Sequence, residues 1–243
     1  MHSSIIALAG WVVLALVPPA TPVDIKTVEA SPEGGLSYRI IMSGAAAPDN
    51  PGRLIVWLHP TGGLMVETIE AMAPMFIRCG FAVLAATGKA EDGWSDRDIG
   101  RLMNVTLRDA GKISGVDARN PILMGFSGGG QAALALWLTR PSQLGGVIVD
   151  AAYPVKLVDG KYVPADLPPG DAVKRVPLFV VVGEQDQAVS IWKQVEKPWR
   201  ESGVPLTIHY IPGRGHTWLF DESVTSRLEE WLKSIKPSGG DNR

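Results

Sequence analysis

A chain of 243 residues that is 46% apolar has room for one α/β domain or two small ones and can bury a sizeable core. Its formal net charge of −2, without a cluster of Lys and Arg, argues against nucleic acid as a main partner. The only cysteine, Cys79, excludes an internal disulfide and leaves the redox compartment open; placed before Gly80-Phe81 at the end of a helical stretch, it reads as a buried structural thiol.

The first 30 residues stand apart. Ile5 to Val17 is an apolar run without charge, short for a membrane span but right for the core of a signal peptide. Small residues in Val28-Glu29-Ala30 suit cleavage after Ala30; Ala20, among prolines, is the other site. Residues 1–30 are therefore expected to be a signal peptide, which makes the chain secreted or periplasmic, with no stable membrane span after processing. An uncleaved N-terminal anchor and a buried N-terminal helix are the alternatives. The run carries no cysteine, which excludes a lipoprotein.

Beyond residue 30 the chain alternates. Leu36 to Met42 reads as a strand, Leu54 to Leu58 as a buried one, and Glu67 to Arg78 as a helix with Ile69, Met72, Met75 and Phe76 at helical spacing. Phe81 to Ala85 is a strand, and Asp96 to Ser114 a helix. The Pro121-Ile122-Leu123-Met124 strand precedes the Gln131–Leu138 helix. Strands at 146–149 and 177–182, a helix at 191–201, a strand at 206–210 and a helix at 221–235 complete the series. Continuous apolar strands separated by amphipathic helices predict an α/β fold. It would have a mostly parallel sheet of about seven to eight strands with helices on both faces, a three-layer sandwich. One domain spans residues 31–236, and the polar tail 237–243 is expected to be flexible. Residues 152–174, rich in Pro and Gly, form the longest stretch without periodicity and read as a functional loop.

Gly125-Phe126-Ser127-Gly128-Gly129 falls between a strand and a helix, the layout of a nucleophile elbow. The pattern alone is weak in a chain with 27 glycines; its position gives it weight. A serine hydroxyl needs a base within hydrogen-bond reach, and the base needs an orienting acid, both following in loops after strands. Of four histidines, His2 lies in the leader, His59 precedes the serine and His209 lies inside a strand. His216, in the Gly-rich loop after the last strand, is the expected base. Asp186, after the strand ending at Val182, is the preferred acid, with Asp150 and Glu184 as competitors; a plain helix cap is the structural alternative. Negative charge on an attacked carbonyl calls for two fixed amides. Gly128 supplies one. The His59-Pro60-Thr61-Gly62-Gly63 loop supplies the other, from Thr61 first and Gly62 second, because Pro60 has no N–H.

Leu58-His59-Pro60-Thr61-Gly62-Gly63, Gly125-Phe126-Ser127-Gly128-Gly129, Val182-Gly183-Glu184-Gln185-Asp186 and Gly215-His216 together resemble the α/β-hydrolase superfamily over nearly all of residues 36 to 235. The nearest subgroup is the small serine esterases similar to phospholipase/carboxylesterases, dienelactone-hydrolase-like and polyhydroxybutyrate-depolymerase-like proteins. The resemblance implies hydrolysis of a small carboxylic ester through an acyl-enzyme, with a Ser127-His216-Asp186 triad and an oxyanion hole from Thr61 and Gly128. Members of the subgroup commonly read His-Gly where this chain has His59-Pro60. Dienelactone hydrolases use cysteine as nucleophile; Ser127 favours ester over enol-lactone chemistry. Trp94 and Trp218 resemble pocket-lining aromatics, with a structural role as the alternative for each, and His59 joins them as a substrate-binding candidate. The sequence has no Walker A match, no G-x-G-x-x-G in a first βα turn and no histidine pair at metal spacing, so neither cofactor nor metal is expected. A peptidase or acyltransferase on the same scaffold, or a non-catalytic binding protein, are the other readings. Oligomeric state is left open.

Overall fold

The computed structural model describes residues 23–159 and 161–235. An eight-stranded sheet runs in the order β1-β2-β4-β3-β5-β6-β9-β10. Its strands are β1 (Ile25–Ala30), β2 (Tyr38–Ser43), β3 (Gly52–Leu58), β4 (Phe81–Ala86), β5 (Val116–Phe126), β6 (Gly146–Asp150), β9 (Leu178–Gly183) and β10 (Leu206–Ile211). Strand β2 is antiparallel to both neighbours, and every pair from β4 to β10 is parallel.

Alternation along the central strands divides the core in two. Leu54, Val56, Leu58, Leu123, Val147, Val149, Val180 and Val182 face one side. There they meet α4 (Gly128–Thr139) and α5 (Ala188–Glu201) through Leu134, Trp137, Trp192 and Trp199. Ile55, Trp57, Val83, Met124, Ile148, Phe179 and Val181 face the other side. They pack on α1 (Val66–Arg78) and α6 (Glu222–Ser234) through Ile69, Phe76, Leu228 and Trp231. Both faces of these strands are therefore apolar, which is why they read as unbroken hydrophobic runs.

Three features depart from the sequence-based expectation. The folded region begins before residue 31: Ile25–Ala30 pairs with β2 over all six residues, so cleavage after Ala30 would remove an edge strand, whereas cleavage after Ala20 would spare it. Residues 1–22 and the tail 237–243 lie outside the described residues. The expected 96–114 helix is continuous from Asp96 to Ala110, where it ends early, and it carries one π-helical turn, Leu102–Thr106, between α2 (Asp96–Arg101) and α3 (Leu107–Ala110). The π turn ends at buried Thr106, whose hydroxyl accepts from the Leu36 amide at 2.8 Å. Finally, the 152–174 stretch contains an antiparallel hairpin, β7 (Val155–Val158) and β8 (Lys161–Pro164). Among the described residues no helix is long and apolar enough to cross a membrane.

Candidate active site

Residues from five strand ends converge above the carboxyl edge of the parallel sheet, where open α/β sheets hold ligands. Ser127 joins β5 to α4 with φ 51° and ψ −117°, a conformation that a side-chain-bearing residue adopts only under strain of about 1–3 kcal/mol. Its amide donates to the Asp150 carbonyl at 2.9 Å, which anchors the turn. The flanking glycines are steric requirements. A Cβ on Gly125 would overlap the Gly129 and Gly130 backbone, and one on Gly129 would overlap the Leu58 carbonyl.

His216 reaches the serine from the loop after β10. That loop presses on the end of β9: Gln185 N–H donates to the Arg214 carbonyl at 2.8 Å, and Glu184 N–H to Ile211 at 3.0 Å. Gly183 has no room for a Cβ because the Arg214 and Gly215 carbonyls occupy it. The acid loop and the base loop are thus laid edge to edge. Asp186 Oδ2 accepts from His216 Nδ1–H at 2.8 Å, and His216 Nε2 accepts from Ser127 Oγ–H at 2.9 Å. The other Asp186 oxygen takes the Ala188 amide at 2.9 Å, so a single carboxylate engages the first amide of α5 and the imidazole. Its side chain is fully shielded from solvent.

The competing acids are placed elsewhere. Glu184 is exposed. Asp150 Oδ2 accepts the Leu219 amide at 3.0 Å, and Oδ1 has no partner among the described residues. Burial, reinforced by the nearby Asp186 charge, pushes the Asp150 carboxyl well above the usual carboxylate range. Burial thus favours the neutral form of Asp150, which holds the histidine loop through the Leu219 amide.

Thr61 lies opposite the elbow. Its amide nitrogen is 3.2 Å from the position a Cβ on Gly128 would occupy, which sets both backbone segments around one spot. The Gly62 amide is engaged by the Glu91 carbonyl at 2.7 Å, whereas the Thr61 and Gly128 amides find no acceptor among the described residues. Of the two loop donors weighed from sequence, Thr61 is the one left free. Pro60 does not disturb this arrangement: its carbonyl accepts from His59 Nδ1–H at 2.7 Å.

His59 is only 2% exposed, and burial lowers its pKa. It lies behind the loop, its ring 5.0 Å from that of Trp94. Trp94 Nε1–H donates to the His59 carbonyl at 3.0 Å, so this tryptophan ties the segment after β4 to the Thr61 loop. Beneath it, buried Lys89 lies 5.7 Å from the indole centroid and pairs with Asp92 at 2.5 Å and Asp98 at 3.5 Å.

Trp218 packs edge-on against Trp57 and Phe126, and Phe126 stacks on His216 at 5.7 Å. Trp57 Nε1–H holds the Leu64 carbonyl at 2.9 Å. Trp218 thus packs against Phe126, the ring that stacks on His216, and is not among the residues lining the cleft beside Gly128, which Trp94 does line. Phe126, Trp57, Lys89 and the Leu219 amide were not singled out from the sequence. Each acts through a contact made only in the folded chain. His209 lies on β10, its Nδ1 3.1 Å from Arg227.

Sequence searches match no family model and no curated protein. Solved structures do match. An S-formylglutathione hydrolase from Agrobacterium tumefaciens is 13% identical, with a TM-score of 0.62 over 86% of this chain and 94% of that one. A ferulic acid esterase from the anaerobic fungus Anaeromyces mucronatus is 12% identical, with a TM-score of 0.66 over 91% and 93%. A fluorophosphonate-binding serine hydrolase from Staphylococcus aureus is 12% identical, with a TM-score of 0.64 over 87% and 99%. At such identities the likeness is one of architecture. With its strand order, its single antiparallel crossing at β2 and its helices on both faces, this chain has the α/β-hydrolase fold.

Proposed function

We propose that this chain is a serine hydrolase that cleaves carboxylic esters through an acyl-enzyme. The observation that carries the reading is the hydrogen-bonded series from Ser127 through His216 to Asp186, at 2.9 and 2.8 Å, beneath two free amides. As Ser127 Oγ attacks the ester carbonyl, its proton passes to His216 Nε2. The carbonyl oxygen becomes an oxyanion facing the Thr61 and Gly128 amides. Asp186 holds the imidazole with its proton on Nδ1 and stabilises the imidazolium. His216 then protonates the departing alcohol. Water, activated by the same nitrogen, releases the acid and restores Ser127. Ser127→Ala is expected to reduce turnover of a short-chain activated ester to background. Retained turnover would refute the reading, and product analysis with added alcohols separates hydrolysis from acyl transfer.

The oxyanion donors depend on the loop being held. Trp94→Phe keeps the ring but removes the Nε1–H bond to the His59 carbonyl. A net hydrogen bond of this kind corresponds to about a three- to tenfold loss, expected in kcat for a small ester with KM little changed. A change in KM alone would make Trp94 a wall of the cleft and nothing more.

The apolar run at 5–17 supports export, and the pairing of β1 favours processing ahead of Ile25.

A further inference from the structure

Beside the elbow lies a cleft of about 440 Å³ that begins at Gly128, next to one of the two free amides. It exists because α4 turns small residues outward there. Ala132 and Ala135, three apart on one helical face, leave a groove that a larger pair would fill, and Leu138 closes its far end. The β7–β8 hairpin and the segment leading to it pass over this groove, so the stretch that lacked periodicity in the sequence forms a wall of it.

The lining combines apolar and aromatic side chains with the amide of Gln131. Three aromatic rings face the space: Trp94 from the segment after β4, Tyr153 from the segment after β6 and Tyr162 from β8. No charged side chain is among the described lining residues. The Tyr153 and Tyr162 hydroxyls make no hydrogen bond among the described residues, whereas the hydroxyls of Tyr38 and Tyr210 are bonded to Asp109 and Glu196. Tyr162 is 73% exposed, the most exposed of the large apolar side chains among the described residues. A ring left that open at the mouth of a cleft gains burial when the cleft is filled.

The geometry points to this cleft as the site for an uncharged aromatic group of the substrate, with Tyr162 of the β7–β8 hairpin as a specificity-determining residue. The inference rests on the ester-hydrolase reading and adds its substrate class: esters bearing an aryl group on a short spacer. A cleft of several hundred Å³ is far larger than an acetyl group needs and suits a ligand fragment of aromatic size. Three aromatic residues in the lining favour an aromatic occupant over a saturated one, because ring–ring contacts add to the burial of area. A carboxylate or ammonium on the group would meet no opposite charge in the lining and would lose part of its hydration. Continuity with Gly128 makes the occupant the substrate itself.

The test compares wild type and Tyr162→Ala on ethyl acetate, methyl 3-phenylpropanoate, 3-phenylpropyl acetate and methyl 3-cyclohexylpropanoate. Wild type should prefer at least one of the two aryl esters over both ethyl acetate and the cyclohexyl ester; which aryl ester it is tells whether the acyl or the alcohol half enters the cleft. Tyr162→Ala should lose on the order of tenfold in kcat/KM on that aryl ester, mostly in KM, and stay within twofold on ethyl acetate. Equal loss on all four, or loss on none, would overturn the inference, as would a cyclohexyl ester matching the aryl one. Binding of ethyl 3-phenylpropanoate to Ser127→Ala protein, followed by tryptophan fluorescence, separates the two levels of the argument. Binding weakened by Tyr162→Ala without any wild-type turnover would sink the ester reading and leave the aromatic cleft standing. Wild-type turnover of ethyl acetate with aryl binding indifferent to Tyr162 would do the reverse.

Discussion

Asp186→Asn is expected to lower kcat/KM for a short-chain ester by on the order of 10⁴, with the fold intact. An amide at this position can still accept the Ala188 amide that Asp186 Oδ1 now takes. It cannot offer a carboxylate to His216 Nδ1, so it neither stabilises the imidazolium nor fixes the tautomer that leaves Nε2 open to Ser127. Asp150→Asn is the matched control. Asp150 is buried, which favours its neutral form, and its hydrogen bond to the Leu219 amide survives in the amide. Activity within about threefold of wild type is the expected outcome. If Asp150→Asn caused the collapse instead, the acid would be misassigned. The two variants also differ in stability against pH. Burial raises the folded pKa of Asp150, so the stability that its neutral form contributes is complete below the ordinary carboxylate range. It is lost as pH rises toward the raised value. Asp150→Asn does not titrate. Its denaturation midpoint relative to wild type should therefore improve between pH 4 and pH 8, a trend that chemical denaturation at several pH values reads directly.

Gly129→Ala is expected to cost the fold about 3 kcal/mol or more, because the added methyl overlaps a backbone carbonyl, Leu58, that no rotamer change can move aside. For a domain of this size that corresponds to a fall in Tm of about 10 °C. Whatever protein remains folded should have lost activity, since relief of the overlap must part the Thr61 loop from the elbow. Gly100→Ala is the comparison. A Cβ at Gly100 meets nothing within 4 Å in α2, and alanine is the better helix former, so Tm should hold or rise slightly. Equal Tm values for the two variants would show that the elbow is not packed as tightly as described.

The legible parts of the chain were those whose signal is local. Strands buried on both faces must be apolar throughout, so β3, β4, β5, β6 and β9 stood out. Ser127 and Asp186 stood out because each follows such a strand and His216 because it lies in the Gly-rich loop after β10; the structure brings the three within hydrogen-bond distance. Strand β1 escaped because it is a half-exposed edge carrying Lys26 and Glu29, and its order comes from pairing with β2. The hairpin left a sign that could have been used: Asp159-Gly160 between Val155–Val158 and Lys161–Pro164 is a two-residue turn signal, and Asp159 has the positive φ of 50° that such a turn requires. Thr61 was placed ahead of Gly62 from the sequence, but the bond that occupies the Gly62 amide, to the Glu91 carbonyl, arises only in the folded chain. Trp94 and Trp218 looked alike as lone loop aromatics. One lines the cleft and the other packs against Phe126, a difference decided by packing over long sequence separations.

The most direct measurement is the intact mass and peptide map of the protein after treatment with an alkyl fluorophosphonate. The account predicts a single adduct on Ser127, absent from Ser127→Ala and formed far more slowly by His216→Ala. An unlabelled protein, or an adduct on another residue with Ser127 untouched, would contradict it.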